Sequence, residues 1–178
     1  MTLSPRTRLA ARTVHIGAAA GWLGAVFTYL VVAAAALSGA ASDQIAGSYQ
    51  VLALITVAVL VPLSLTTLVT GMVCSLGTPW GLLRHYWVLF KLVLNLVATA
   101  VLLLYTRSIE DAASIAAKPD WSDTDRRVLA DPTHVVHAGA ALIVLVAALV
   151  LAVYKPRGLT RYGQRRLAKR PGTSPVPS

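Results

Sequence analysis

Four stretches almost empty of charge decide what this chain can become. They cover residues 13–38, 49–75, 82–106 and 133–154. Each reaches the ~20 apolar residues that a helix needs to cross ~30 Å of hydrocarbon. Inside a bilayer only helices and closed barrels satisfy every backbone group, and uninterrupted runs of this length are helical. The expected fold class is therefore all-α: a polytopic membrane protein, folded as an antiparallel bundle of four transmembrane helices. Composition agrees, because a chain that is 56% hydrophobic and 13% charged lies outside the balance of soluble domains. The first run follows Arg6, Arg8 and Arg12, as a secretory signal would, but it is too long for one and leads at once into another span.

Charge gives the orientation. Eleven of the sixteen Lys and Arg residues fall before the first span, in the second loop or after the fourth span. The third loop instead carries Glu110, Asp111, Asp120, Asp123, Asp125 and Asp131. Positive residues stay inside, so both termini are expected in the cytoplasm and the chain in the inner (plasma) membrane. This divides it into a basic N-terminus (1–12), a transmembrane domain (13–154) with an outer loop (107–132), and a basic, partly disordered tail (155–178). The same placement turns the net charge of +9 away from nucleic acid and toward anionic lipid headgroups. A homo-oligomer or a partner within a membrane complex is the other expected association. A single cysteine, Cys74, excludes an internal disulfide.

Within the spans, residues that are expensive to bury mark candidate sites. His15, Trp22 and Tyr29 recur every seven residues and form one stripe, expected to face the bundle. Gly17, Gly21 and Gly24 leave a flank of the same helix without bulk, open to another helix or a flat ligand. Pro62 predicts a kink in the second span, with Ser64, Thr66, Thr67 and Thr70 as local hydroxyl partners. In the third span Trp87, Lys91, Asn95 and Thr99 make a polar stripe, with Asn95 expected to bond to another helix. An intramembrane Lys costs ~3 kcal/mol on insertion scales, although Lys91 is close enough to the cytoplasmic headgroups to snorkel. The outer loop should hold short helices over 108–117 and 123–129, after which Asp131 and Pro132 start the fourth helix.

The derived topology puts His15 and His85 at equal depth on the cytoplasmic side. Two such histidines on facing helices suit axial ligation of a b-type haem, with Trp22 and Lys91 beside it. With Met72 or Cys74 the pair would also suit copper. On the outer side His134 and His137 share one helical face near Asp131, a set able to hold zinc or copper. All four also suit the interface as amphipathic residues at their preferred depth.

Two longer motifs carry a resemblance. Gly77-Thr78-Pro79-Trp80-Gly81-Leu82-Leu83-Arg84-His85-Tyr86-Trp87-Val88-Leu89-Phe90-Lys91 joins the second and third spans, and Lys155-Pro156-Arg157-Gly158-Leu159-Thr160-Arg161-Tyr162-Gly163 closes the fourth. With His15 and Trp22-Leu23-Gly24, they resemble a family of actinobacterial four-helix membrane proteins with no assigned activity. More loosely, the first-helix His, Trp-x-Gly and the intramembrane Lys resemble CopD copper-resistance proteins and HemJ-type protoporphyrinogen oxidases. The HemJ likeness implies haem binding through His15, with Lys91 partnering a carboxylate of substrate or haem. The CopD likeness implies copper handling, although the chain lacks Met-rich clusters. The expected function is haem or porphyrin binding in redox or haem metabolism; the alternatives are a copper or zinc accessory protein and a non-catalytic scaffold.

Overall fold

The computed structural model describes residues 4–39, 41–76, 85–156 and 158–168, and the described parts of all four apolar stretches lie in long helices, the third from Tyr86 on. These are α1 (Pro5–Ser38), α2 (Ser42–Leu76), α3 (Tyr86–Ala116) and, after a short α4 (Asp123–Leu129), α5 (Thr133–Tyr154); α6 (Arg161–Ala168) follows. Among the described residues four helical stretches are long and apolar enough to cross a membrane. The principal contacts close a ring: α1 packs on α2 and α5, and α3 packs on the same two. This helix order is not encoded in hydropathy.

The helices outrun the expected spans because charge stops a membrane crossing without stopping a helix. The Ser4 hydroxyl accepts the Thr7 N–H and Pro5 opens the first turn, so α1 begins eight residues before the apolar run. At its other end α3 continues through the 108–117 segment, expected as a separate surface helix, to Ala116. Ile109, Ala112, Ala113 and Ala116 explain this: their helical spacing buries one face against the core while Arg107, Glu110 and Asp111 point away. The short helix over 123–129 forms as expected, started by a capping box between Ser122 and Asp125. α5 starts where the Asp131 carboxylate accepts the Thr133 N–H at 2.8 Å.

Where a kink was expected at Pro62, the helix carries a π turn over Thr56–Leu60, just before the proline. Proline has no N–H for the carbonyl four residues back, and the ladder adapts by a wider step: the Val61 N–H bonds to the Thr56 carbonyl, five residues earlier. On α1 the stripe His15, Ala18, Trp22, Val26, Tyr29, Ala33 and Ala36 is buried, so the face expected to look inward does. That rotation carries Gly17 and Gly24 outward, where an added Cβ would meet nothing within 4 Å. Neither Gly17 nor Gly24 therefore lines a space beside His15, whereas Ala19 and Ala20 of the same small-residue run do.

No more than 28% of any span's most apolar window is buried inside the chain. Leu104 and Ile143 are 81% and 72% exposed, as hydrocarbon requires and water would penalise. The two motifs meet in space: His85 forms an isolated antiparallel bridge with Leu159, and the Tyr86 N–H donates to the Gly158 carbonyl. α6 occupies part of the tail expected to be partly disordered. Gly77 to Arg84 of the first motif and the end of the tail from Pro171 lie outside the described residues.

Candidate functional site

His15 sits where α1, α2 and α3 meet, and each ring nitrogen has its own partner. Nδ1 lies 3.1 Å from the Thr67 carbonyl and 3.1 Å from the Thr70 hydroxyl oxygen. A carbonyl only accepts, so Nδ1 carries the proton. Thr70 donates its own hydrogen to the Thr66 carbonyl, which leaves its oxygen to accept from His15. Nε2 is thereby a lone pair, and it accepts from Lys91 Nζ at 3.3 Å. Lys91 bends toward His15 instead of only snorkelling outward. A hydrogen bond from a charged donor contributes about 1.5–3 kcal/mol, enough to offset much of the insertion cost of the lysine. It brings no counter-charge.

Gly71 makes this arrangement possible. A Cβ there would stand 3.1 Å from His15 Cε1, tighter than side chains tolerate without moving. The imidazole thus lies flat against bare backbone of α2. In sequence Gly71 reads only as a helix end; its one signal is helical spacing, four residues from Thr67 on the face that meets α1.

Around this pair lies a cavity of about 320 Å³ lined by Arg12, His15, Lys91 and Lys155, with Cys74, Ser75 and Asn95 between them. No carboxylate lines it among the described residues. Walls of low dielectric around charge of one sign concentrate its field, so the cavity attracts anions. Lys155 reaches it from the end of α5 in the left-handed conformation, φ 43°, which a lysine adopts only at a cost. His15, Lys91 and Asn95 also line a second space, of about 210 Å³, in which Ala19, Ala20 and Leu23 of α1 face Leu145, Ala148 and Leu149 of α5. The charged cavity and the apolar groove thus share His15, Lys91 and Asn95 as a common wall. Thr67 lines that groove with its hydroxyl buried and unpartnered, 2% exposed.

Several expectations resolve differently. Asn95 is buried, as its depth implied, but among the described residues it makes no hydrogen bond to α2; it lines the two spaces instead. Trp22 lines the groove beside His15, as Lys91 does. His85 stands at the start of α3, held by its bridge to Leu159, and is not among the residues lining the His15 cavity. Arg12 of the basic N-terminus and Lys155 of the basic tail both line the cavity.

The outer histidines do not converge with Asp131 on a metal site. His134 Nδ1 faces the hydroxyls of Tyr105 at 2.6 Å and Tyr29 at 3.4 Å, with the Tyr49 ring edge-on. His137 donates from Nδ1 to the Thr133 carbonyl and stacks on Tyr105. Asp131 bonds to the amide and hydroxyl of Thr133. Among the described residues no three metal-ligating side chains come together.

No family model, no curated protein and no solved structure matches the chain.

Proposed function

We propose that this chain is an integral membrane protein that binds an anionic amphiphile. The charged head lies among Arg12, His15, Lys91 and Lys155, and the apolar body lies along the α1–α5 groove. In this reading successive long helices alternate in direction, both termini are cytoplasmic, and the basic cavity opens to the inner leaflet, where the positive-inside rule places such residues. The observation that carries the reading is that a cavity of one charge sign shares His15, Lys91 and Asn95 with an apolar groove holding one unpartnered, buried hydroxyl.

The head is a carboxylate or a phosphate, both of which accept several hydrogen bonds from Arg and Lys. Porphyrin carboxylates belong to this class, and this is the form in which haem metabolism fits the site. The residues do not favour a haem clamped between His15 and His85, because His85 does not line the cavity. A metalloporphyrin would meet His15 at Nε2, the nitrogen that Lys91 now bonds, and would supply redox chemistry there. Lys91 would then turn its donor to a carboxylate.

The test uses the full chain in lipid nanodiscs with three probes: protoporphyrin, its uncharged dimethyl ester, and phosphatidic acid. Protoporphyrin should bind saturably, the ester at least about ten-fold more weakly, the equivalent of one ion pair worth ~1.4 kcal/mol, and Lys91→Met should remove the difference. Displacement by phosphatidic acid would assign the head group to lipid phosphate. Equal affinity for acid and ester would refute the reading. Iron protoporphyrin tests the redox form, which requires a Soret band that is lost in His15→Ala.

A further inference from the structure

A second cavity, of about 260 Å³, lies toward the opposite end of the bundle and is lined by all four long helices, α2 contributing Thr56 and Leu60. It meets the first site only at Trp22, so its occupancy does not depend on whether an anion fills the His15 end. Its wall is aliphatic apart from Trp22, Thr56, Tyr29, Tyr105 and His137. Val97, Val101 and Ala140 line it and are exposed on the apolar surface of the helices, so the cavity opens sideways into hydrocarbon. Its occupant therefore comes from the lipid phase.

Counting protons shows what the occupant must offer. Thr56 donates its hydrogen to the Leu52 carbonyl, and His137 donates to the Thr133 carbonyl, so neither hydrogen is available to a ligand. The phenols of Tyr29 and Tyr105 share one nitrogen, His134 Nδ1. If that nitrogen is a lone pair, it takes the hydrogen of Tyr105 at 2.6 Å, and Tyr29, at 3.4 Å, keeps its own. If it carries a proton, it donates to Tyr105, and both phenol hydrogens remain. One nitrogen cannot accept both hydrogens, so in either tautomer at least one of the two phenols that line the apolar cavity lacks an acceptor of its own among the described residues.

An uncharged, lipid-soluble ring bearing a carbonyl oxygen answers all three features: lateral access, aliphatic walls and an unused phenol donor. We infer that this cavity is a binding site for a lipid-soluble quinone, its carbonyl accepting from Tyr29 or Tyr105. The ring lies against Trp22 and its tail leaves between α3 and α5. An acyl chain would fill the same walls but has no use for the phenols.

The experiment is fluorescence titration of the full chain in nanodiscs with a prenylated 1,4-naphthoquinone. Trp22 is the reporter, and Trp22→Phe identifies its share of the signal. Quenching of Trp22 should saturate. The pair Tyr29→Phe with Tyr105→Phe should weaken it roughly ten-fold, the loss expected of one or two buried hydrogen bonds. Ala141→Leu, which narrows the cavity, should weaken it as well, and Lys91→Met should leave it unchanged. An alkylnaphthalene without carbonyls should compete poorly. Quenching that rises linearly with quinone, as simple partition into lipid would give, overturns the inference. So does saturable quenching that the tyrosine pair leaves unchanged, which would mark an acyl-chain site. Thermal unfolding of each variant separates loss of binding from loss of fold, and the tyrosine pair, which removes no carbon, decides the matter if Ala141→Leu fails to fold.

Discussion

Lys155 is the sole non-glycine residue with positive φ among those described, at a place where helices commonly put glycine. The strain there, about 1 kcal/mol, places a cation in the His15 cavity, so stability and function pull apart at this residue. Lys155→Gly should raise thermal stability by about 1 kcal/mol while lowering affinity for an anionic ligand about five-fold, the worth of one cation near a membrane surface. Calorimetry and ligand titration on the same sample check both halves, and an unchanged affinity would remove Lys155 from the site. Gly71 shows the opposite balance. Gly71→Ala forces the imidazole of His15 off the α2 backbone and should lower stability by about 1 kcal/mol, the usual cost of slight overpacking. Porphyrin affinity should fall with it. Thr99 serves as a reference, since its hydroxyl is buried without a partner yet lines neither cavity nor the groove. Thr99→Val should stabilise the fold by about 1 kcal/mol and leave ligand binding alone, as paired unfolding and titration curves will show.

Among the elements, α4 is too charged to enter hydrocarbon, with Asp123, Asp125, Arg126 and Arg127 in seven residues. It lies outside the membrane-spanning segment that begins at Thr133. Lys118, at 2.8 Å, and the hydroxyl and amide of Ser122 hold the Asp125 carboxyl down to about 2. A carboxyl depressed in the folded state stabilises fully above its unfolded value of about 3.9 and loses that contribution as pH falls through the folded value. The α4 cap should therefore persist through mild acid and open only toward pH ~2. A carbon-detected NMR titration of Asp125 should place its midpoint there in the parent chain and clearly higher in Lys118→Met. The bounds of this helix were legible in sequence, while the cap that starts it, with Ser122 three residues before Asp125, was not read there. The four spans were legible because bilayer thickness sets their length. The reach of α1 back to Pro5 and of α3 on to Ala116 was not, since hydropathy marks the edge of hydrocarbon and not the end of a hydrogen-bonded ladder. His15 and Lys91 stood out as residues too expensive to bury without cause. Gly71, Thr67, Arg12 and Lys155 did not, because each gains its role only from which helix lies beside which.

For the whole molecule, the two ends of the bundle differ in chemistry. Arg12, Lys91 and Lys155 gather at one end, while Tyr29, Tyr49, Tyr105 and His134 form an uncharged aromatic cluster at the other. The segments around His85 and Leu159 meet near the first end, just before the basic α6 begins. If charge sets the orientation, this end is cytoplasmic, and in the proposed reading an anion would reach the cavity from the inner leaflet while a quinone would reach the other site from the membrane itself. The orientation is directly testable because Cys74 is the sole cysteine and can be replaced by alanine. In that background Ser4→Cys and Asp120→Cys place single thiols on opposite ends of the chain's charge asymmetry. A membrane-impermeant maleimide added to intact cells should label Asp120→Cys and spare Ser4→Cys until the cells are lysed. Labelling of Ser4→Cys without lysis would invert the assignment, moving the basic cavity to the outer leaflet and its ligand to the outside of the cell.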